Sequence, residues 1–271
     1  KYDSVTRTMS PSYPSNLTSE QWELLSGLIP AAKKGGRKRS VDMEAVVNAI
    51  FYILCAGCAW RMLPHDFPNW KTVYHYFRQW RKDGTWQQIH ERLRLWVRVS
   101  QNREPSPSEA IMDSQSVETA TMVSKEVGYD DRKKIRGRKR HILIDTLGLP
   151  IVVVITAADV SEQAGAKQVL SKLDQVRDRV GRLIRIWVDG GYRGKDFANW
   201  VIDSYRWLWS VVTRREEQKG FVVLPKRWLV ERTFERVNWC RRLSKDYEIL
   251  PQTTEAFIYV AMIRLMLKQL A

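Results

Sequence analysis

The sequence predicts an α/β fold: a mixed five-stranded sheet flanked by helices, preceded by a small all-helical region. Three observations point there. Apolar residues before residue 100 recur at helical spacing. A linker composition follows at 101–108, Gln-Asn-Arg-Glu-Pro-Ser-Pro-Ser. Beyond it, short β-branched runs alternate with helical patterns, in the order three strands, helix, strand, helix, strand, helix. The expected divisions are an N-terminal arm at 1–16, a helical domain at 17–100, the linker, and an α/β domain at 109–271.

Residues 1–16 hold Ser, Pro and Tyr without periodicity and read as a loose arm. Thr18 and Gln21 have capping-box spacing, so a helix should start there and stop at Pro30. Lys33-Lys-Gly-Gly-Arg-Lys-Arg39 reads as a basic loop. An apolar pattern from Asp42 to about Ala59 predicts a buried helix. Asn69 can cap a third, running to Lys82, with Gly84 as its breaker; a fourth spans Thr85 to Val99. In the third helix Val73, Tyr76, Phe77 and Trp80 follow i, i+3, i+4, i+7 and form the buried face. Lys71, His75, Arg78 and Lys82 stripe the other side. On pattern alone that stripe is either a solvated face or a nucleic-acid contact.

In the second region Ala110-Ile-Met-Asp113 reads as a short strand. His141–Asp145 and Ile151–Thr156 form a hairpin around Gly148. Ser161 to about Val176 is helical, and Leu183–Val188 is a buried strand. Lys195 to about Asp203 is helical, and Trp207–Thr213 is strand-like. Helices are expected from Arg227 to about Lys245 and from Thr254 to Leu270.

Charge narrows the partner. The chain carries 45 Lys+Arg against 30 Asp+Glu, a formal +15. Residues 1–100 contribute +7 and the rest +8, so both regions are expected to meet the same polyanion, most commonly nucleic acid. No apolar run reaches the ~18 residues of a membrane span, so no membrane partner is expected. Three cysteines, an odd number, argue against a disulfide framework. Cys55 and Cys58 lie in an apolar run without a second Cys/His pair and read as core.

The chemistry rests on carboxylates. Asp113 ends an apolar strand pattern, and Asp189 ends the strongest strand in the chain before Gly190-Gly191. Carboxylates at the C-terminal ends of strands point into the crevice where α/β sheets place their sites. Two on adjacent strands can share a hard cation. A third ligand should come from the helix at 227, where Glu231 follows Arg227 by one turn and could pair with an arginine-held phosphate. Glu235, one turn further, is its rival. Asp145 also ends a strand pattern, but the following Thr-Leu-Gly turn accounts for it. Each Asp alone is more often a turn residue or a cap, and spacing leaves the choice open.

Together these residues look familiar. Leu17-Thr-Ser-Glu-Gln-Trp22, Cys58-Ala-Trp-Arg-Met-Leu-Pro64, Trp70-Lys-Thr-Val-Tyr74, Gly137-Arg-Lys-Arg-His141, Asp145-Thr-Leu-Gly148, Asp189-Gly-Gly-Tyr192 and Val230-Glu-Arg-Thr-Phe234 occur in this order. The chain thereby resembles the DDE transposases of bacterial insertion sequences, of the IS-five type, from about Tyr13 to Leu270. The resemblance implies a ribonuclease H-like catalytic domain whose acidic triad is Asp113, Asp189 and Glu231. It implies two Mg²⁺ ions, with Mn²⁺ as substitute, held by those three. It further implies double-stranded DNA as substrate (transposon ends and target), a homodimer or higher oligomer in the synaptic complex, and a bacterial, cytoplasmic, DNA-associated protein. The family's Tyr-Arg-Glu-Lys signature is matched by Arg227 and Glu231, whereas Leu224 stands for the Tyr and Asn238 for the Lys. Arg241 and Arg242 could supply the missing charge.

With that resemblance the stripe of Lys71, His75, Arg78 and Lys82 reads as helix-turn-helix-type recognition of DNA. Residues 131–140 hold seven basic residues in ten. Arg136, Arg138, Lys139 and Arg140 among them are expected to contact phosphates. Two other readings fit less of the pattern: a ribonuclease H-like nuclease without strand transfer, and an inactive DNA-binding repressor.

Overall fold

The computed structural model describes residues 13–32, 39–212 and 225–271. Most of the expected arm, the basic loop at 33–38, Thr213 and Leu224 lie outside them. The first four helices form where the Thr18 and Asn69 caps and the apolar patterns place them. Helix α1 (Ser19–Ser26) opens on the Thr18–Gln21 capping box with both reciprocal bonds made, and ends at Gly27, short of Pro30. Helix α2 (Met43–Ala56) starts at Asp42, whose carboxylate accepts the Glu44 and Ala45 N–H groups. It stops at Gly57, which adopts the left-handed conformation at φ 71. A Cβ there would press on the Arg241 backbone, 3.2 Å away, so glycine serves both the turn and the close approach. Helices α3 (Trp70–Lys82) and α4 (Thr85–Ser100) follow, α3 capped by Asn69.

Among the described residues the sheet has six strands, one more than expected: β1 (Glu109–Glu118), β2 (Gly128–Asp130), β3 (Ile135–Asp145), β4 (Pro150–Ala157), β5 (Arg185–Val188) and β6 (Leu208–Val211). The additional one, β2, has three residues, too few for any alternation to show. Strands β4, β3 and β1 pair antiparallel, and β1, β5 and β6 pair parallel, giving the order β4-β3-β1-β5-β6 with β2 also on β3. Helices α5 (Glu162–Asp174), α6 (Lys195–Tyr205), α7 (Pro225–Asn238), α8 (Arg241–Ser244) and α9 (Pro251–Leu270) complete the chain.

Alternation along the strands builds two cores. Met112, Leu143, Val152, Val154, Ile186 and Val188 meet α5 and α6 on one face. Ile111, Ile142, Ile144, Val153 and Ile155 join a larger core with α1, α2, α3, α4, α7 and α9 on the other. Helix α9 is buried on most of its circumference, from Thr254 to Leu267, as expected of a helix apolar all round. The helical region and the sheet therefore share one core through α9.

Two sequence expectations need correction. The first concerns residues 138–140 as phosphate contacts. They lie inside β3 and are buried. The Arg138 guanidinium donates to the Asp246 carboxylate (3.2 Å) and to the carbonyls of Lys125, Glu248 and Ile249. Arg140 donates to the Asn238 side chain and the Leu243 carbonyl, and Lys139 to the Val160 carbonyl. Arg242 is likewise buried, bonded to Glu248 (2.6 Å) and the Cys58 carbonyl. These four cations are turned into the protein and held by its own acceptors, as buried charge requires, although the Arg140 Nε is left without an acceptor. The second concerns the helix from 227 to 245. It breaks at Cys240, whose backbone is extended (φ −82, ψ 112), giving α7 and α8.

Asp145 plays the structural part expected of it. It is fully buried, accepts the N–H groups of Leu147 and Leu149, and pairs with Arg98 of α4 at 2.9 Å. Cys55, Cys58 and Cys240 are free thiols.

Candidate active site

The parallel pairing of β1 with β5 runs from Glu109↔Arg185 to Met112↔Val188 and then ends. Asp113 and Asp189 are the next residues on the two strands. Asp189 terminates β5 as expected and caps the turn Gly190–Tyr192, its carboxylate accepting the Gly191 N–H at 2.9 Å. Asp113 does not terminate β1. The strand continues to Glu118, paired with β3 alone, so its polar half, Ser114-Gln-Ser116, lines the opening that β5 vacates. The Asp113 carboxylate accepts the Ser114 N–H at 2.7 Å.

A cleft of about 570 Å³ opens over this edge, lined by Asp113, Asp189 and, from α7, Glu231. Arg227 stands one turn from Glu231 with a 3.5 Å ion pair between them. Glu235 also reaches the cleft. Electrostatics separates the two glutamates. The Asp113 carboxyl is pushed up to about 7, chiefly by burial and further by the Asp189 and Glu231 charges. The Ser114 N–H and the Arg227 charge act in the opposite direction. Glu231 and Arg227 thus act on Asp113 through their charge, and Glu235 is not among its largest influences.

No group of three His, Cys, Asp or Glu side chains among the described residues is gathered closely enough to hold a metal ion. The donor set still suits a hard divalent cation: it is all carboxylate oxygen, and a cation would offset both the burial and the neighbouring negative charges that disfavour ionised Asp113. Ligation would require Glu231, which is exposed, to swing inward.

The cleft holds a second network that sequence reasoning missed. Ser116 donates to Asp130 at 2.5 Å, and Lys139 sits 3.9 Å from Asp130 and 3.7 Å from Glu162. Tyr192 is buried beside them, its phenol pushed well up by burial and by the Asp113 charge. The Asp189-Gly-Gly-Tyr192 motif marked Tyr192 as present; nothing in the sequence places Asp130, Ser116 or Glu162 at the same opening.

The remaining candidates divide cleanly. Lys71, His75, Arg78 and Lys82 are all exposed along α3, opposite buried Val73, Phe77 and Trp80. Arg136, Arg227 and Arg241 are exposed. Of the eleven cations proposed for DNA, only Arg227 and Lys139 line the cleft, and Lys139 is held by protein partners.

Residues 104–266 match the family described as "Transposase DDE domain". The chain belongs to the DDE transposases. Its α/β region is accordingly ribonuclease H-like, and residues 17–90 match a second family, "Putative transposase of IS4/5 family". Among curated relatives, the "Putative transposase for insertion sequence element IS402" of Burkholderia cepacia is 25% identical over 126 residues, covering 45% of this chain and 59% of that protein. The "Insertion element IS402 uncharacterized 16.2 kDa protein" of the same organism is 28% identical over 107 residues, covering 37% and 71%. "Uncharacterized protein y4sN" of Sinorhizobium fredii is 26% identical over 68 residues, covering 25% and 54%. The chain thus spans under two thirds of the first of these relatives. No solved structure matches it. No helix among the described residues of this DDE transposase is long and apolar enough to cross a membrane.

Proposed function

We propose that this DDE transposase binds the terminal inverted repeats of an insertion sequence, cleaves the DNA at those ends and joins them to target DNA. The observation that carries the reading is the placement of Asp113 and Asp189 side by side where β5 ends, with Glu231 across the same cleft. Divalent cations held there, two Mg²⁺ or Mn²⁺, would supply nucleophile activation and charge stabilisation for phosphoryl transfer. The chain's own residues do the rest. Asp113 is fixed by its pairing with β3 and Asp189 by capping the turn that follows β5, so they form the rigid half of the ligand set. Glu231, on the exposed face of α7, is the half that closes on substrate. Arg227 is placed to hold a non-bridging phosphate oxygen once Glu231 leaves it. Two in-line transfers use the same carboxylates: water attacks the phosphodiester at the transposon end, and the freed 3′-hydroxyl then attacks target DNA.

Recognition falls to other surfaces. The exposed α3 stripe fits contact with the major groove of the end, and Arg136 and Arg241 fit phosphate contact. Joining two ends requires at least two copies in the synaptic complex. The setting is the DNA-associated cytoplasm of a bacterium.

The test incubates labelled terminal-repeat DNA, a target plasmid and Mg²⁺ with the protein. Cleavage and strand-transfer products are expected. Asp189→Asn and Glu231→Gln should abolish both while end binding survives, and Glu235→Gln should retain both. Cleavage without joining would indicate a nuclease instead. Binding without chemistry by the parent protein would overturn the reading.

A further inference from the structure

Helix α7 buries Val230, Thr233, Phe234 and Val237. Its opposite side should be polar. Instead Trp228 is 48% exposed, and Trp239, in the turn just past the last helical residue Asn238, is 77% exposed; its N–H still bonds the Glu235 carbonyl at 3.0 Å, which keeps it in helical register. With Arg232 and Glu235 they follow i, i+4, i+7, i+11 and form one stripe. The Arg232 guanidinium lies over the Trp228 ring at 4.5 Å. Arg236 flanks the stripe, and Arg241 is exposed just beyond it. None of these three arginines has an acidic partner among the described residues. Arg232 and Arg236 also repel each other: burial first and the Arg232 charge second hold the Arg236 guanidinium below its usual value. The stripe adjoins the catalytic cleft, because Glu235 and Glu231 on the same helix line that cleft.

Two indole faces among three arginines, with Glu235 as the one acid of the stripe, specify the occupant. A second copy of the chain meeting this stripe by two-fold symmetry would bring three arginines from each side against one glutamate from each, leaving most of the positive charge unmatched. An apolar protein segment would leave them unpaired. A nucleic-acid strand satisfies both, phosphates on arginine and bases on indole. In a duplex the base faces are stacked on one another and unavailable, so the strand must have unpaired bases. Trp228 and Trp239 lie ~16 Å apart along the helix axis, a span of several nucleotides. We propose that the outer face of α7 binds a single-stranded stretch of DNA, with Trp228 and Trp239 stacking on its bases and Arg232, Arg236 and Arg241 on its phosphates. This would hold the strand leading into or out of the cleft apart from its complement.

The inference rests on DNA being the substrate of the cleft, and its test is run without divalent metal so that chemistry plays no part. Fluorescein-labelled oligothymidylate and a blunt duplex of mixed sequence are titrated with the full chain, and anisotropy is read at several salt concentrations. Trp228→Ala and Trp239→Ala should each weaken oligothymidylate binding about tenfold, leave duplex affinity within a factor of about two, and leave the salt slope unchanged. Trp239→Phe should restore most of the loss. Arg232→Gln with Arg236→Gln should flatten the oligothymidylate salt slope by about 1.4, two contacts at ~0.7 each on a single strand. Because both rings are exposed, thermal melting should match the parent. Unchanged oligothymidylate affinity in the double tryptophan variant would overturn the inference, as would a shift in sedimentation to a smaller species with DNA affinity intact, which would identify a protein partner. A protein that binds oligothymidylate through the stripe but never cleaves would sink the transposase reading and leave this one standing.

Discussion

Asp113→Asn should make the protein more stable at alkaline pH while removing its activity. Asp113 ionises at about 7 in the folded chain, against an ordinary 3.8. The folded state therefore binds more protons than the unfolded chain between those values. Stability falls as pH rises from about 4 to about 7 and is level above that. At about 1.4 kcal/mol per pH unit, the ceiling on this penalty is about 4 kcal/mol. Salt screening and local relaxation around a carboxylate that borders an open cleft reduce it, so about 1–3 kcal/mol is expected at pH 8. Asparagine keeps the shape and can still accept the Ser114 N–H, but carries no charge to repel Asp189 and Glu231. Urea unfolding of parent and Asp113→Asn at pH 5 and pH 8, without divalent metal, reads the effect. The variant should gain at pH 8 and gain little at pH 5. Millimolar Mg²⁺ should then stabilise the parent more than the variant. Equal stability of the two proteins at pH 8, or a gain independent of pH, would refute the electrostatic account of the site.

Other predictions concern the scaffold and the DNA-facing surface. Asp145→Ala should cost about 3–5 kcal/mol, because it strips the buried Arg98 of its carboxylate partner and leaves Arg94 with Glu91 alone; a loss under ~1 kcal/mol in urea unfolding would contradict the pairing. Arg138→Gln should destabilise by a few kcal/mol, on the scale of a broken buried charge network, yet leave the salt dependence of DNA binding as it was. Replacing Lys71, Arg78 and Lys82 with Ala should do the reverse, reducing the salt slope of binding to terminal-repeat DNA by about three and leaving the melting temperature within a few degrees. If the triple variant binds as the parent does, α3 is only a solvated face.

Local signals carried much of the fold. The capping box at Thr18, the cap at Asn69, the apolar run after Asp42 and the apolar stripe of α3 are short-range physics written in adjacent residues, and those elements stand where they point. What escaped was long-range. Arg138 and Arg140 read as phosphate contacts because their partners, Asp246, the Leu243 carbonyl and the Glu248 and Ile249 carbonyls, lie about a hundred residues away in sequence. The length of β1 escaped for a similar reason: after Asp113 its pattern turns polar because one edge loses β5 and faces the cleft. At the site, the two aspartates were suggested by strand ends and brought together by strand register, which no spacing rule supplies. Glu231 needed its electrostatic link to Asp113 to be set apart from Glu235. The exposed tryptophans of α7 were invisible, because helical periodicity alone assigns such residues to a core.

The single core through α9 bears on how a transposon end is measured. If α3 reads base pairs of the end and the carboxylates cut it, both sit in one body, tied by α9 packing and by the pairing of Arg98 with Asp145. The number of base pairs between the recognised sequence and the cut is then a length built into the protein, like the gap between two marks on a ruler. Lengthening the 101–108 connection would not move the cut, since that connection is not what spaces the two marks. Relocating the cut would require repacking α4 against α9.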